Sequence, residues 1–395
     1  MSRIQELIKE KCPNGVKYNY LGNICNIKTG KGLTKKDCVT DGKYAIISGG
    51  IEPLGYCNQY NREANTVTIA RAGTAGYVNF IGNRFWVNDK CFSIIPNSSC
   101  KINSKYLYYY LKNIEESIMN LKSDGTVPTV NTEKISSIKV AVPSLEVQLE
   151  IVRILDKFGE LEAELEAELE ARNNQYEFWS GKIFECYMNG NTKHITDIAL
   201  VKARVGWQRL TTAEYLTTGD YYLITGTNFK NDGKIDFNKC VFVTKERYEM
   251  DENIQVHKND ILITKDGTLG KIAYLNEEPD KLTTLNSGVF RIKITDKNVL
   301  PRYIYHYFNS KVFRNFVESV KTGSTIPHLT QEKLVSLNIP IPNVKEQEKI
   351  INILDKFDDL TRSLSVGLPA EIELRRKQYE YYRNELLSFK ELNNG

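Results

Sequence analysis

Glycine, hydroxyl and cationic residues meet in two short stretches, VTIARAGTAGYVNFI (67–81) and ILITKDGTLGKIAYL (261–275). Each reads as a β-branched strand, a tight glycine turn and a second alternating strand. Arg71, Gly73 and Thr74 in the first stretch, and Lys265, Gly267, Thr268 and Lys271 in the second, suit a nucleic-acid phosphate. Glycine turns expose backbone N–H groups, and a neighbouring cation complements the negative charge. A plain hairpin tip is the competing reading of a single GxxG. Recurrence in both halves of the chain favours binding. Similar mixtures occur at KTGKGLTKK (28–36), with Lys28, Thr29, Lys31 and Lys35, and at Thr225, Thr227 and Asn228. Thr126 and the Ser324–Thr325 pair add hydroxyls ahead of two long helical stretches. The aromatic run YLYYY (106–110) has a composition suited to base stacking, but it opens a helical stretch and is read as core.

Other chemistries find less support. There is no Asn/Asp-Pro-Pro-aromatic sequence, no GxGxxG and no Walker A lysine loop. Pro279-Asp280 could begin a nuclease carboxylate set, yet RIK (291–293) lacks the acid that should come next. His194, His257, His306 and His328 stand apart in the sequence and are read as solvated or core residues. The eight cysteines form no CxxC pair, which points to free thiols in a reducing compartment and no metal site. No run approaches the ~18 apolar residues of a membrane span. The stretch MSRIQELIKEKC lacks a signal peptide's apolar region, so the expectation is a cytoplasmic protein that makes no membrane contact.

The elements that would position the glycine turns are legible through charge and repetition. Residues 1–143 carry 19 Lys+Arg against 11 Asp+Glu, and residues 191–343 carry 21 against 17. The intervening residues 144–190 carry 4 against 11, and residues 344–395 carry 9 against 10. Two basic blocks held by acidic or neutral struts are the distribution expected of two polyanion-binding modules. At a constant offset of 199, Thr126–Phe158 matches Thr325–Phe357 at 13 of 33 positions, each copy ending in ILDKF. Further on, RNNQYEFW (172–179) matches RRKQYEYY (375–382) at an offset of 203. A period near 200 residues marks a duplicated domain-plus-helix unit.

In each copy a short apolar run closes on Pro143 or Pro342, and Ser144 or Asn343 can cap a helix. Leu155, Phe158, Leu161, Leu165 and Leu169 step by three and four along one face of a helix from about 144 to 187. At 1.5 Å per residue it would reach roughly 60 Å. Leu354 and Phe357 repeat the seam in the second copy, and Tyr176 and Tyr379 repeat within the QYE segments. The fold expected is α+β: two globular strand-rich domains related by pseudo-two-fold symmetry, with two long antiparallel coiled-coil helices between them. SVGLPAE (365–371) should kink or break the second helix. The glutamates of LEAELEAELEA (161–171), from Glu162 to Glu170, are expected to face solvent.

Taken together, the Pro-x-x-x-x-Gln helix starts (Pro143 with Gln148, Pro342 with Gln347), the two ILDKF pentapeptides, the RxxQYE segments and the turns GTVP (125–128) and GSTIP (323–327) resemble the specificity subunit of type I restriction–modification systems. The resemblance covers essentially the whole chain. It implies target-recognition domains at 1–143 and 191–343, each reading half of a split site on double-stranded DNA. It also implies helices at 144–190 and 344–395 that set the spacer and dock two modification subunits. Restriction subunits would complete the assembly, and S-adenosylmethionine, ATP and Mg would serve those partners, with no cofactor in this chain. Two other classes stay open at this stage: a self-sufficient methyltransferase or nuclease, and a coiled-coil interaction protein that leaves DNA alone.

Overall fold

The computed structural model describes residues 2–123, 128–205, 210–266, 269–321, 328–363 and 365–392. Contacts divide the chain into two compact units, residues 1–163 with 374–395, and residues 164–373. Thr126, Gly267, Thr268, Ser324 and Thr325 lie outside the described residues.

In the first unit a four-stranded antiparallel sheet runs in the order Cys25–Thr29, Cys91–Pro96, Thr66–Ala70, Val78–Ile81. The strand Thr66–Ala70 is buried at every position, which is why it reads as a continuous apolar and hydroxyl run. A three-stranded sheet sets Tyr44–Ile47 between Gly55–Cys57, antiparallel, and Trp86–Val87, parallel. The second unit repeats both sheets. Its four strands are Ala199–Ala203, Val289–Ile294, Ile261–Thr264 and Ile272–Tyr274, and its three are Val241–Phe242, Tyr221–Ile224 and Leu282–Leu285. The Tyr221–Ile224 and Leu282–Leu285 pair is again parallel.

A single helix, Leu145–Met188, runs for 44 residues, or about 66 Å. Its counterpart is broken into Val344–Thr361 and Leu368–Leu387. Gly367 ends the interruption at φ +93°, with room for no side chain: a Cβ there would lie 2.3 Å from the Asp359 carbonyl oxygen. The break accommodates the four extra residues that move the repeat offset from 199 to 203.

Within each unit the helices pack antiparallel, and the motifs of the two copies meet. In the first unit Phe158 stacks near Tyr379 and Tyr382, at 6.3 and 5.5 Å between ring centroids, and Glu162 pairs with Arg376. In the second, Phe357 lies 6.1 Å from Tyr176. The phenylalanine of each ILDKF therefore packs on the tyrosine of the other copy's QYE segment. Leu155, Leu354 and Tyr176 are buried, and Leu161, Leu165 and Leu169 are half-buried. Glu162, expected in solvent, is half-buried because it carries the ion pair to Arg376.

The repeated polar residues now have a physical reason. Gln148 is fully buried; its Oε1 accepts from the Asn103 backbone, and its Nε2 donates to the carbonyls of Lys101 and Pro143. Gln347 does the same with Leu300, Asn298 and Pro342. The aspartate of each ILDKF receives a cation and a second donor from an aromatic-rich helix: Lys105 and Tyr109 at Asp156, Arg302 and His306 at Asp355. Glutamine and aspartate thus fasten each long helix to its own strand-rich unit. The tyrosine run behaves as core, with Tyr106, Tyr109 and Tyr110 all buried.

Candidate nucleic-acid interface

The glycine stretches build the same cleft twice. In the first unit, Ser48 and Gly49 leave the strand Tyr44–Ile47 and meet the hairpin tip, where Arg71 N donates to the Lys90 carbonyl at 2.8 Å. In the second, Thr225 and Gly226 leave the strand Tyr221–Ile224, and Lys265 N donates to the Gly288 carbonyl at 2.9 Å. Ala72 bridges to Thr129 and Asp266 to His328, both antiparallel. A capped turn closes each cleft: Asp37 accepts from Thr34 and Glu214 from Thr211. The cleft volumes are about 530 and 550 Å³.

Their linings differ. The first carries the exposed cations Lys35 and Lys90, with Arg71 exposed beside it and, among the described residues, in no ion pair. The second has Thr212 and Gly288 at the places of the two lysines, and Asp266 at that of Ala72. Lys265 is half-buried, its ammonium 5.3 Å from the centroid of the Phe290 ring. A hydrated arginine is better placed than this lysine to meet a phosphate.

Several residues singled out by their type serve the turns themselves. Gly73 has φ +83°, and a Cβ would stand 2.6 Å from the Gly49 carbonyl oxygen. Thr74 donates through both its N–H and its hydroxyl to that same carbonyl. Asn228 is 1% exposed, and its Oδ1 accepts from the Thr225 backbone and hydroxyl. These three fix backbone shape; the contact reading is corrected for Asn228, which is buried, while Thr74 remains exposed. Thr225 and Thr227 hold their hydroxyls 2.8 Å apart in the second cleft's turn. Lys271 is half-buried, and its backbone N–H is taken by Thr264 Oγ1. Lys28, Thr29 and Lys31 are exposed on and just after the edge strand Cys25–Thr29.

The histidines are not isolated in space. His328 Nδ1 lies 2.6 Å from Asp266 Oδ1, and His257 Nδ1 2.7 Å from Glu278. His306, fully buried, contacts Asp355 and stands 3.9 Å from Asp358. That trio could ligate a metal ion by geometry, but Arg302 pairs with both carboxylates and already supplies the positive charge. Burial alone would raise the Asp355 carboxyl; the His306 hydrogen bond and the Arg302 charge outweigh it and hold it below its ordinary value.

The nine seam and QYE positions of the long helices, expected at the coiled coil and partner surface, are all buried or half-buried. The exposed apolar side chains lie elsewhere: Leu145 and Leu149 at the start of the long helix, and Phe178, Trp179, Leu374 and Tyr381. Phe178 and Tyr381 come just after the two QYE segments at equivalent places and are 56% and 61% exposed. The repeat of an aromatic at an outward position was the available signal. No helix among the described residues is long and apolar enough to cross a membrane.

The sequence profile of the type I restriction modification DNA specificity domain matches residues 13–171 and 191–374. The Escherichia coli type I restriction enzyme EcoR124I/EcoR124II specificity subunit is 32% identical over 365 residues, covering 85% of this chain and 84% of the relative. Among solved structures, the type I restriction–modification S subunit from M. genitalium superposes with a TM-score of 0.58 at 18% identity, covering 96% of this chain and 98% of its own. A chain from a structural study of assembly in the type I system reaches 0.62 at 12% identity, covering 95% and 98%.

Proposed function

Because this chain belongs to the family of type I restriction–modification DNA specificity subunits, we propose that each of its two clefts reads one half of a bipartite duplex DNA sequence. The observation that carries this reading is the construction of one cleft twice, on equivalent strands and turns, with different side chains lining it. A common scaffold presents the reader to the duplex, and the changed lining assigns each half its own base pattern. Arg71, Lys35 and Lys90 supply the first cleft with cations for phosphate or guanine edges; hydroxyls and Asp266 give the second a more selective surface.

The long helices hold the readers and dock two modification subunits. The exposed aromatics Phe178 and Tyr381 support this, since rigid aromatics at equivalent sites suit two copies of one partner. Methyl transfer from S-adenosylmethionine and ATP- and Mg-dependent cleavage belong to the modification and restriction subunits. The test is reconstitution. The purified chain alone should transfer no labelled methyl groups, and should direct methylation of one bipartite sequence once modification subunits are added. Methylation by the chain alone would overturn the assignment.

A further inference from the structure

The two clefts differ most sharply at a single place. Ala72 and Asp266 occupy equivalent positions, one residue after the cation of each hairpin and paired across an antiparallel bridge to Thr129 and His328. The first cleft has a methyl group there. The second has a carboxylate whose Oδ1 is held 2.6 Å from His328 Nδ1, with the side chains 41% and 49% exposed. Asp266 Oδ2 faces Gly288, where an added Cβ would still lie 3.7 Å away. Lys90 stands at the position of Gly288 in the first cleft, so in the second that position offers this carboxylate no cation.

An exposed carboxylate on a surface that approaches phosphates is repelled by them. It can favour a complex only by accepting a hydrogen bond from the nucleic acid. The base edges of the major groove offer two amino donors, cytosine N4 and adenine N6. Beside adenine N6 stands the acceptor N7, which repels a carboxylate; beside cytosine N4 the same base presents only a C–H. With Nδ1 directed at Asp266, the imidazole fixes the carboxylate's orientation. Resting on the reading that this cleft faces duplex DNA, we propose that Asp266, positioned by His328, is a specificity-determining residue that accepts from the N4 amino group of a cytosine in the second half-site.

The test uses the chain reconstituted with modification subunits and a plasmid library carrying all four bases at each half-site position, read by methylation. Asp266→Ala, which copies the first cleft, should relax one base pair of the second half-site, lowering discrimination there by roughly 5- to 150-fold. The first half-site should be unchanged. Asp266→Asn retains the side-chain volume and should weaken discrimination at the same base pair, which guards against a folding defect in the alanine variant. His328→Gln should reduce discrimination at that same base pair more mildly. A third variant, Gly288→Trp, fills the cleft from a position whose backbone tolerates a side chain. If both Asp266 variants keep full discrimination while Gly288→Trp abolishes methylation, the cleft faces DNA and Asp266 is not a reader, which overturns this inference alone. If Gly288→Trp assembles normally and methylates the original site undiminished, the cleft reading falls and takes the inference with it. Relaxation at a base pair that was never cytosine-specific also overturns it.

Discussion

Arg71 and Lys265 hold equivalent places, yet their surroundings predict unequal contributions to DNA binding. Arg71 is exposed and unpaired among the described residues, whereas the Lys265 ammonium lies over the Phe290 ring at 5.3 Å and is half-buried. Each phosphate contact contributes about 0.9 to the slope of log affinity against log salt on duplex DNA. Removing one contact with Arg71→Gln should therefore flatten the slope by about 0.9. Between 50 and 200 mM salt, a four-fold change, the advantage of the unmodified chain should shrink by about 3.5-fold. Lys265→Gln should flatten the slope by less than half as much, since its charge is already partly engaged. The assay is fluorescence anisotropy of a duplex carrying the recognised sequence, bound by the chain complexed with modification subunits. Parallel salt plots for Arg71→Gln and the unmodified complex would show that the hairpin tip makes no phosphate contact. A Lys265 effect larger than that of Arg71 would refute the argument from burial.

Three further outcomes are expected. Deleting Leu165–Glu168 removes one tetrapeptide of LEAELEAELEA, shortening the helix by about 6 Å and turning its C-terminal part by about 40°; methylome mapping should show both half-sites retained and the unread spacer shorter by one base pair, and undiminished methylation at the original spacing would contradict this. Gln347→Ala leaves the Leu300 N–H and two carbonyls without their buried partner, so chemical denaturation should show a loss of about 2–5 kcal/mol; a loss below about 1 kcal/mol would mean water replaces the amide. Asp355 has a folded-state carboxyl held below its ordinary value of 3.8, so its stabilisation is complete above that value and is lost as pH falls through the lower, folded one. Asp355→Asn should thus flatten the acid limb of the stability profile, and an unchanged limb would remove the residue from the helix anchor.

How much of this was legible in the sequence depends on whether spacing survived duplication. The region from Thr126 to Phe158 kept one offset, and it revealed the repeat, the helix start and the glutamine that each copy buries. Gly367 and Pro369 announced the broken helix because their backbone restrictions hold in any context. The clefts were hidden by unequal insertions: Ser48 and Arg71 are 23 positions apart, whereas Thr225 and Lys265 are 40 apart. No single offset aligns both, so the equivalence emerges only when the strands pair. Asp266 and His328 are 62 residues apart, and His306 and Asp355 are 49 apart, so the histidines looked solitary until the chain folded. Residue type alone also could not separate Asn228, which is buried and holds a turn, from Arg71, which is exposed. The exchange of motif partners, Phe158 on Tyr379 and Phe357 on Tyr176, is invisible to a linear reading for the same reason.

Independent reading of two half-sites is what two separately lined clefts on one scaffold should provide. Its most direct measurement is methylome sequencing of a host in which residues 1–143 have been exchanged for the corresponding residues of another family member, beside the same host with the unmodified chain. One half of the methylated bipartite sequence should change, while the other half and the spacer length stay as they were. A change in both halves, or in neither, would contradict it.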